Sequence, residues 1–177
     1  MDQKHDCEHT ICTAASANAS VCQTISEMDW ERGIWNAAFN GDKHKVQSLI
    51  DKAKNSKELV NALDNSGYTA LHYAARNGHV EVCKVLLNYG GDIDAQTRSG
   101  KVTPLLKAAA AGKAATVKLL IQSGAKVDAQ DVDGKTVLHK AIENNHTELT
   151  TILLEACPTL CKIKDSKGTT HSVSDYK

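Results

Sequence analysis

Apolar residues recur along residues 69–89 with helical rather than strand spacing. Thr69 to Asn77 is predicted as a short helix, ended by a left-handed cap at Gly78. Val80 to Tyr89 is predicted as a second helix, with Val82, Cys83, Val85, Leu86 and Leu87 on its apolar surface. The two make an antiparallel hairpin. Gly90 lets the chain leave, and Asp92 to Gly100 is expected to run out as an extended arm that turns back at Thr97-Arg-Ser-Gly100. The same turn is expected at Asp64 to Gly67, Asp131 to Gly134 and Asp165 to Gly168.

The pattern is periodic. The segment Gly67-Tyr-Thr-Ala-Leu-His-Tyr-Ala-Ala-Arg-Asn-Gly78 is echoed from Gly100 to Gly112 and, less closely, from Gly134 to Asn145. Glycines 67, 100, 134 and 168 lie 33, 34 and 34 residues apart. Downstream, Val85-Leu86-Leu87 aligns with Leu119-Leu120-Ile121 and Ile152-Leu153-Leu154. An earlier copy without the leading turn keeps the frame through Ala37-Ala38, Gly41 and Leu49-Ile50. Small alanines at 74, 75, 108, 109 and 141 let neighbouring first helices approach closely, so each unit buries its apolar face only against the next.

Residue identity, period and glycine placement together resemble the ankyrin family, whose units open on Gly-x-Thr-Pro-Leu-His-x-Ala-Ala; the resemblance covers residues 31–168. It implies an all-α ankyrin-repeat solenoid of four helix-turn-helix repeats joined by β-hairpin-like loops. The units fall at 31–63, 67–99, 100–133 and 134–167 within a repeat domain at 27–177, and 168–177 forms a truncated C-terminal cap. Residues 1–26, without periodic apolar spacing, are expected to be a disordered tail. Ser26 or Asp29 is available to cap the first helix.

Several positions depart from the pattern. Repeat three has an inserted residue before Thr103-Pro104 and Leu106 where histidine is expected. Asn145 stands for a glycine, which asparagine can replace because it tolerates left-handed dihedrals, and Cys157-Pro158 gives repeat four a different exit. The charged stretch between Ile50 and Asn61 lengthens the loop after the first hairpin. Thr69 with His72 and Thr136 with His139 have the spacing of local hydrogen-bonded pairs, a structural role.

Lys plus Arg and Asp plus Glu each number 21, so no net field favours nucleic acid or acidic lipid. Apolar runs reach no more than four residues, far below the roughly 20 of a bilayer crossing, and no secretory signal pattern opens the chain. An intracellular location, cytoplasmic or nuclear, is therefore expected, with the six cysteines reduced. His5, Cys7, His9, Cys12 and Cys22 offer enough nitrogen and sulfur for tetrahedral zinc, yet their spacing matches no paired knuckle. Neither a metal nor a cofactor is expected. The nucleophile-elbow, phosphate-loop, dinucleotide and zinc-protease motifs are missing, so the chain does not read as an enzyme.

The expected function is protein binding by a monomeric adaptor, scaffold or inhibitor. The alternatives are a subunit of a larger assembly and a zinc-linked regulatory module built on the N-terminal cysteines and histidines. The resemblance implies a concave face read out by residues that the repeat leaves variable. These are Phe39 and Asn40 in repeat one, and Asn65, Ser66, Tyr68, Arg76 and Asn77 in repeat two. Arg98, Ser99, Lys101, Ala110 and Ala111 belong to repeat three, and Val132, Asp133, Lys135, Glu143 and Asn144 to repeat four. Tyr68 and Arg76 are the strongest candidates, since aromatic and arginine side chains dominate interfaces. Arg98 and Lys101 extend a basic strip, whereas Asp133 and Glu143 make the next repeat acidic; a partner segment acidic and then basic is expected.

Overall fold

The computed structural model describes residues 33–170. Three threonines start its helices. Thr69, Thr103 and Thr136 hold extended backbone, and each hydroxyl accepts a hydrogen bond from the backbone N–H three residues on. They open α4 (Ala70–Asn77), α6 (Pro104–Ala110) and α8 (Val137–Glu143); Pro104 fits the first position of α6 because that N–H has no intrahelical partner. The first repeat contributes the corresponding α1 (Ile34–Phe39). Left-handed residues then reverse the chain into α2 (Lys43–Lys52), α5 (Val80–Asn88), α7 (Ala114–Gln122) and α9 (Thr147–Ala156). In repeat four the left-handed residue is Asn145, at φ 58°.

The first helices stack side by side in the order α1, α4, α6, α8, and the second helices form the other row. Ala37, Ala38, Ala74, Ala75, Ala108, Ala109 and Ala141 are fully buried along the first row; Val46, Ile50, Val82, Leu86, Val117, Leu120, Leu149 and Leu153 fill the space between rows. The alanine row packs more extensively than the bulkier second row, which puts the first helices on the concave side. Burying a leucine such as Leu105 contributes about 1.5–3 kcal/mol, but only when both neighbouring repeats are present to cover it. No repeat gains that alone.

The loops are not β-hairpins: among the described residues no strand occurs. Three of the four arms are turns closed by their own aspartate. Asp64 Oδ1 accepts from the N–H groups of Ser66 and Tyr68 at 2.9 and 2.8 Å, Asp131 does the same with Asp133 and Lys135, and Asp165 with Lys167 and Thr169. N–H groups bound to a carboxylate are lost to a strand ladder. Successive arms therefore touch through isolated backbone bonds, Val132 N–H to Gly100 O at 3.1 Å and Ser166 N–H to Asp133 O at 2.9 Å.

Repeat three shows what its inserted residue does. Thr97 replaces the aspartate and closes a longer turn, its N–H donating to Val102 O and its Oγ1 accepting from Val102 N–H. The left-handed position passes from glycine to Lys101, at φ 49°. The stretch expected as a lengthened loop contains a further helix, α3 (Ser56–Val60), capped by the Asn55 side chain and anchored by buried Val60. At the exit of repeat four, Pro158–Lys162 forms a 3₁₀ turn that buries Leu160. No described helix is long and apolar enough to cross a membrane. The tail at 1–26, the candidate caps Ser26 and Asp29, the candidate metal ligands and residues 171–177 of the C-terminal cap lie outside the described residues.

Candidate protein-interaction face

Stacking buries one side of each first helix and leaves the other bare. Tyr73, Lys107 and Lys140 occupy one register on it, each just before the buried alanines. Phe39, Arg76, Ala110 and Glu143 occupy the next, followed by Asn40, Asn77, Ala111 and Asn144. The turns bring Tyr68 and Lys135 to the same side.

The aromatic residues converge. Phe39 and Tyr73 meet edge to face with ring centres 6.2 Å apart, and Tyr73 lies 5.6 Å from Tyr68. Tyr68 in turn stands edge-on to His72 at 5.5 Å. Lys107 Nζ sits 4.8 Å above the Tyr68 ring, where the negative ring face attracts a cation. Tyr68, His72, Tyr73, Arg76 and Lys107 line a dimple of about 100 Å³. Tyr73 O–H donates to the Asp64 carboxylate, and burial together with that bond pushes the phenol well above its ordinary range.

His72 and His139 are wired into the frame. His72 Nε2–H donates to Val102 O at 2.9 Å, while Nδ1 accepts from the Thr69 N–H and hydroxyl. His139 repeats this with Thr136 and reaches Thr169 O at 3.3 Å. In the first repeat Trp35 holds the corresponding place and its Nε1–H donates to Ala62 O. In repeat three Leu106 is buried and donates nothing from its side chain.

The other predicted residues divide. Asn65, Ser66, Arg98, Ser99 and Lys101 are exposed at the turns. Asn77 donates to Phe39 O at 2.6 Å, Asn40 to Asn36 Oδ1, and Asn144 to Lys140 O, so these three amides are occupied within the stack. Lys135 and Glu143 pair with each other. Lys140 Nζ pairs with Asp131 at 2.7 Å; burial acts to raise the Asp131 carboxyl, but Lys140 and the turn N–H groups outweigh it and hold it below the usual range. Repeat four is thus internally neutralised on this face, Asp133 excepted, whereas Arg76 and Lys107 ion-pair with no carboxylate among the described residues. Sequence reasoning passed over Tyr73, Lys107 and Lys140. Their signal was a large polar residue in one register, directly before the alanines that mark the stacking face.

A wider groove of about 590 Å³, between α3 and the arm that ends at Gln96, has one exposed apolar side chain, Leu63, and is bridged by Asn61 to Gly90 and Asp92. It collects no aromatic side chain, so the smaller dimple is the stronger candidate despite its size. Among the described residues no cluster of His, Cys, Asp or Glu is arranged to hold a metal. Burial keeps the Cys83 thiol protonated, pushed up to about 12.

Helix pairs stacked at a fixed period, with one row's outer side left open, define a helical-repeat scaffold that binds other proteins. The chain belongs to the ankyrin-repeat family: the family model "Ankyrin repeats (3 copies)" matches residues 11–98 and 92–165. Its repeats are accordingly of the protein-interaction kind. Over 86 residues, 49 % of this chain, it is 54 % identical to ankyrin repeat domain-containing protein 39 of Homo sapiens, covering 45 % of that protein. The Bos taurus protein of the same name is 54 % identical over 68 residues, 38 % of this chain and 35 % of the relative. The chain thus spans less than half the length of either. The Notch-regulated ankyrin repeat-containing protein of Xenopus tropicalis is 31 % identical over 86 residues, 49 % of this chain and 73 % of the relative.

Proposed function

We propose that this chain holds a partner protein on the concave face of repeats one to three, centred on Phe39, Tyr73, Tyr68 and Arg76. One observation carries the reading: three aromatic rings from two repeats touch in a row on the side of the stack that its own packing leaves open. Rigid aromatic side chains give much contact area at little entropic cost, and an adjacent arginine is the residue type most often found with them at interface centres. Arg98 and Lys101 extend the basic strip along the turns. The partner segment meets a face that is aromatic and cationic over repeats two and three and nearly neutral over repeat four.

The test is affinity capture from cell extract with three chains matched for thermal melting: the intact protein, Tyr68→Ala/Arg76→Ala, and the second-row control Lys118→Ala. A partner retained by the intact chain and the control but lost by the double variant is the expected result. The same partner retained by all three overturns the assignment of the face.

A further inference from the structure

The turn of each repeat faces the first helix that follows it, and the residue at the Tyr73 register meets whatever that turn presents. In repeat two Asp64 takes the Tyr73 hydroxyl. In repeat four Asp131 takes Lys140 Nζ at 2.7 Å, and that carboxylate is almost fully enclosed, with 4 % of its side chain exposed. In repeat three the same position is Thr97, whose hydroxyl is spent on Val102 N–H. Lys107, the counterpart of Lys140, therefore has no turn carboxylate and rests instead on the Tyr68 ring beside Arg76.

We propose that Lys107 and Arg76, lining one dimple with the Tyr68 and Tyr73 rings, receive a single Asp or Glu side chain from an extended segment of the partner protein, supplying the carboxylate that Thr97 withholds. This rests on the concave-face reading and narrows it to a chemical group. Charge complementarity selects the occupant: two cations line one dimple without an ion-pair carboxylate among the described residues, and the Tyr68 and Tyr73 rings line it with them. The lysine–carboxylate contact of repeat four supplies a template of the right size in the same register. A carboxylate suits that template better than a phosphate, because the pairing it copies is one oxygen on one ammonium.

A phage-displayed library of random linear peptides, panned on the full chain at low salt, supplies the probe. An enriched peptide is then made in three forms, with its acidic residue, with the matching amide and with phosphoserine. Enrichment of Asp or Glu at one position is expected, and the amide form should bind about tenfold or more weakly. Lys107→Gln should cause the same loss, with little further loss when combined with the amide peptide, as coupled groups show in a double-mutant cycle. Thr97→Asp, which restores the turn carboxylate, should mimic Lys107→Gln while leaving both cations in place; if Thr97→Asp melts early, the Lys107→Gln cycle decides. Failure to enrich any peptide, equal binding of acid and amide forms, indifference to Lys107→Gln, or binding by the phosphoserine form alone each overturns the proposal. Phe39→Ala and Tyr68→Ala separate the two readings. If they still weaken the selected peptide, only the carboxylate assignment has failed; if they do not, the concave-face reading falls with it.

Discussion

His72 joins two repeats through both ring nitrogens, and the directions of those bonds fix its charge. A carbonyl only accepts, so Nε2 carries the proton toward Val102 O, and Nδ1 must be the acceptor for Thr69 N–H and O–H. Protonating Nδ1 would set a donor against the Thr69 N–H and end that bond. Burial above all, with the Lys107 charge in addition, pushes the ring down from the ordinary 6.5 to about 4. A folded value below the unfolded one means the contribution is complete above 6.5 and is lost as pH falls toward 4, because the unfolded chain binds a proton that the native ring refuses. The loss should approach about 3 kcal/mol. Urea unfolding between about pH 7 and pH 4 should show it, and His72→Gln should flatten the dependence by a comparable amount; equal slopes in both chains would refute the assignment. Thr116 is simpler. Its hydroxyl is buried without a hydrogen-bond partner among the described residues, in a register held by Val82 and Leu149 elsewhere. Thr116→Val should stabilise the fold by about 1 kcal/mol, read as a higher urea midpoint at unchanged slope.

At the scale of elements the turns decide which residues reach the open face. The extra residue in repeat three forces Lys101, a side chain poorly suited to positive φ, into the left-handed region, while the preceding Gly100 does not use its freedom. Lys101→Gly should therefore stabilise by about 0.5–1 kcal/mol. Asn145→Gly should gain less, because asparagine tolerates φ 58° better than lysine tolerates 49°. Thermal melting of the two variants orders them, and a larger gain at Asn145 contradicts the account. The helix pairs were legible in the sequence because a 3.6-residue apolar period, threonine caps and glycine stops agree locally. The turns were misread as β-hairpin-like because Asp at their first position signals a turn without saying that its carboxylate will occupy the N–H groups a ladder needs. Helix α3 was hidden for a related reason: its Ser-Lys-Glu-Leu-Val offers one buried side chain, Val60, and no period to detect.

The whole molecule is held by contacts that run from each repeat to the next. His79 Nε2–H donates to Phe39 O and His146 Nε2–H to Ala110 O, each ring lying against the glycine that ended the preceding first helix. A Cβ at Gly112 would stand 2.5 Å from the His146 ring, on backbone at φ 67°. Gly112→Ala should cost about 1–3 kcal/mol and, because the clash sits between units, should raise amide exchange in repeats three and four together; protection lost in repeat three alone would show the units to be less coupled than described. The sequence by itself determined the repeat, its period, the family and the alanines and leucines of the core, since each follows from spacing within about one unit. Tertiary structure alone decided the face. Which carboxylate meets which lysine, why Asn77 and Glu143 are occupied while Lys107 rests on the Tyr68 ring, and how Phe39 comes to touch Tyr73 across 34 residues all depend on the register of one repeat against its neighbour. That register is set by packing between units, which no local pattern encodes.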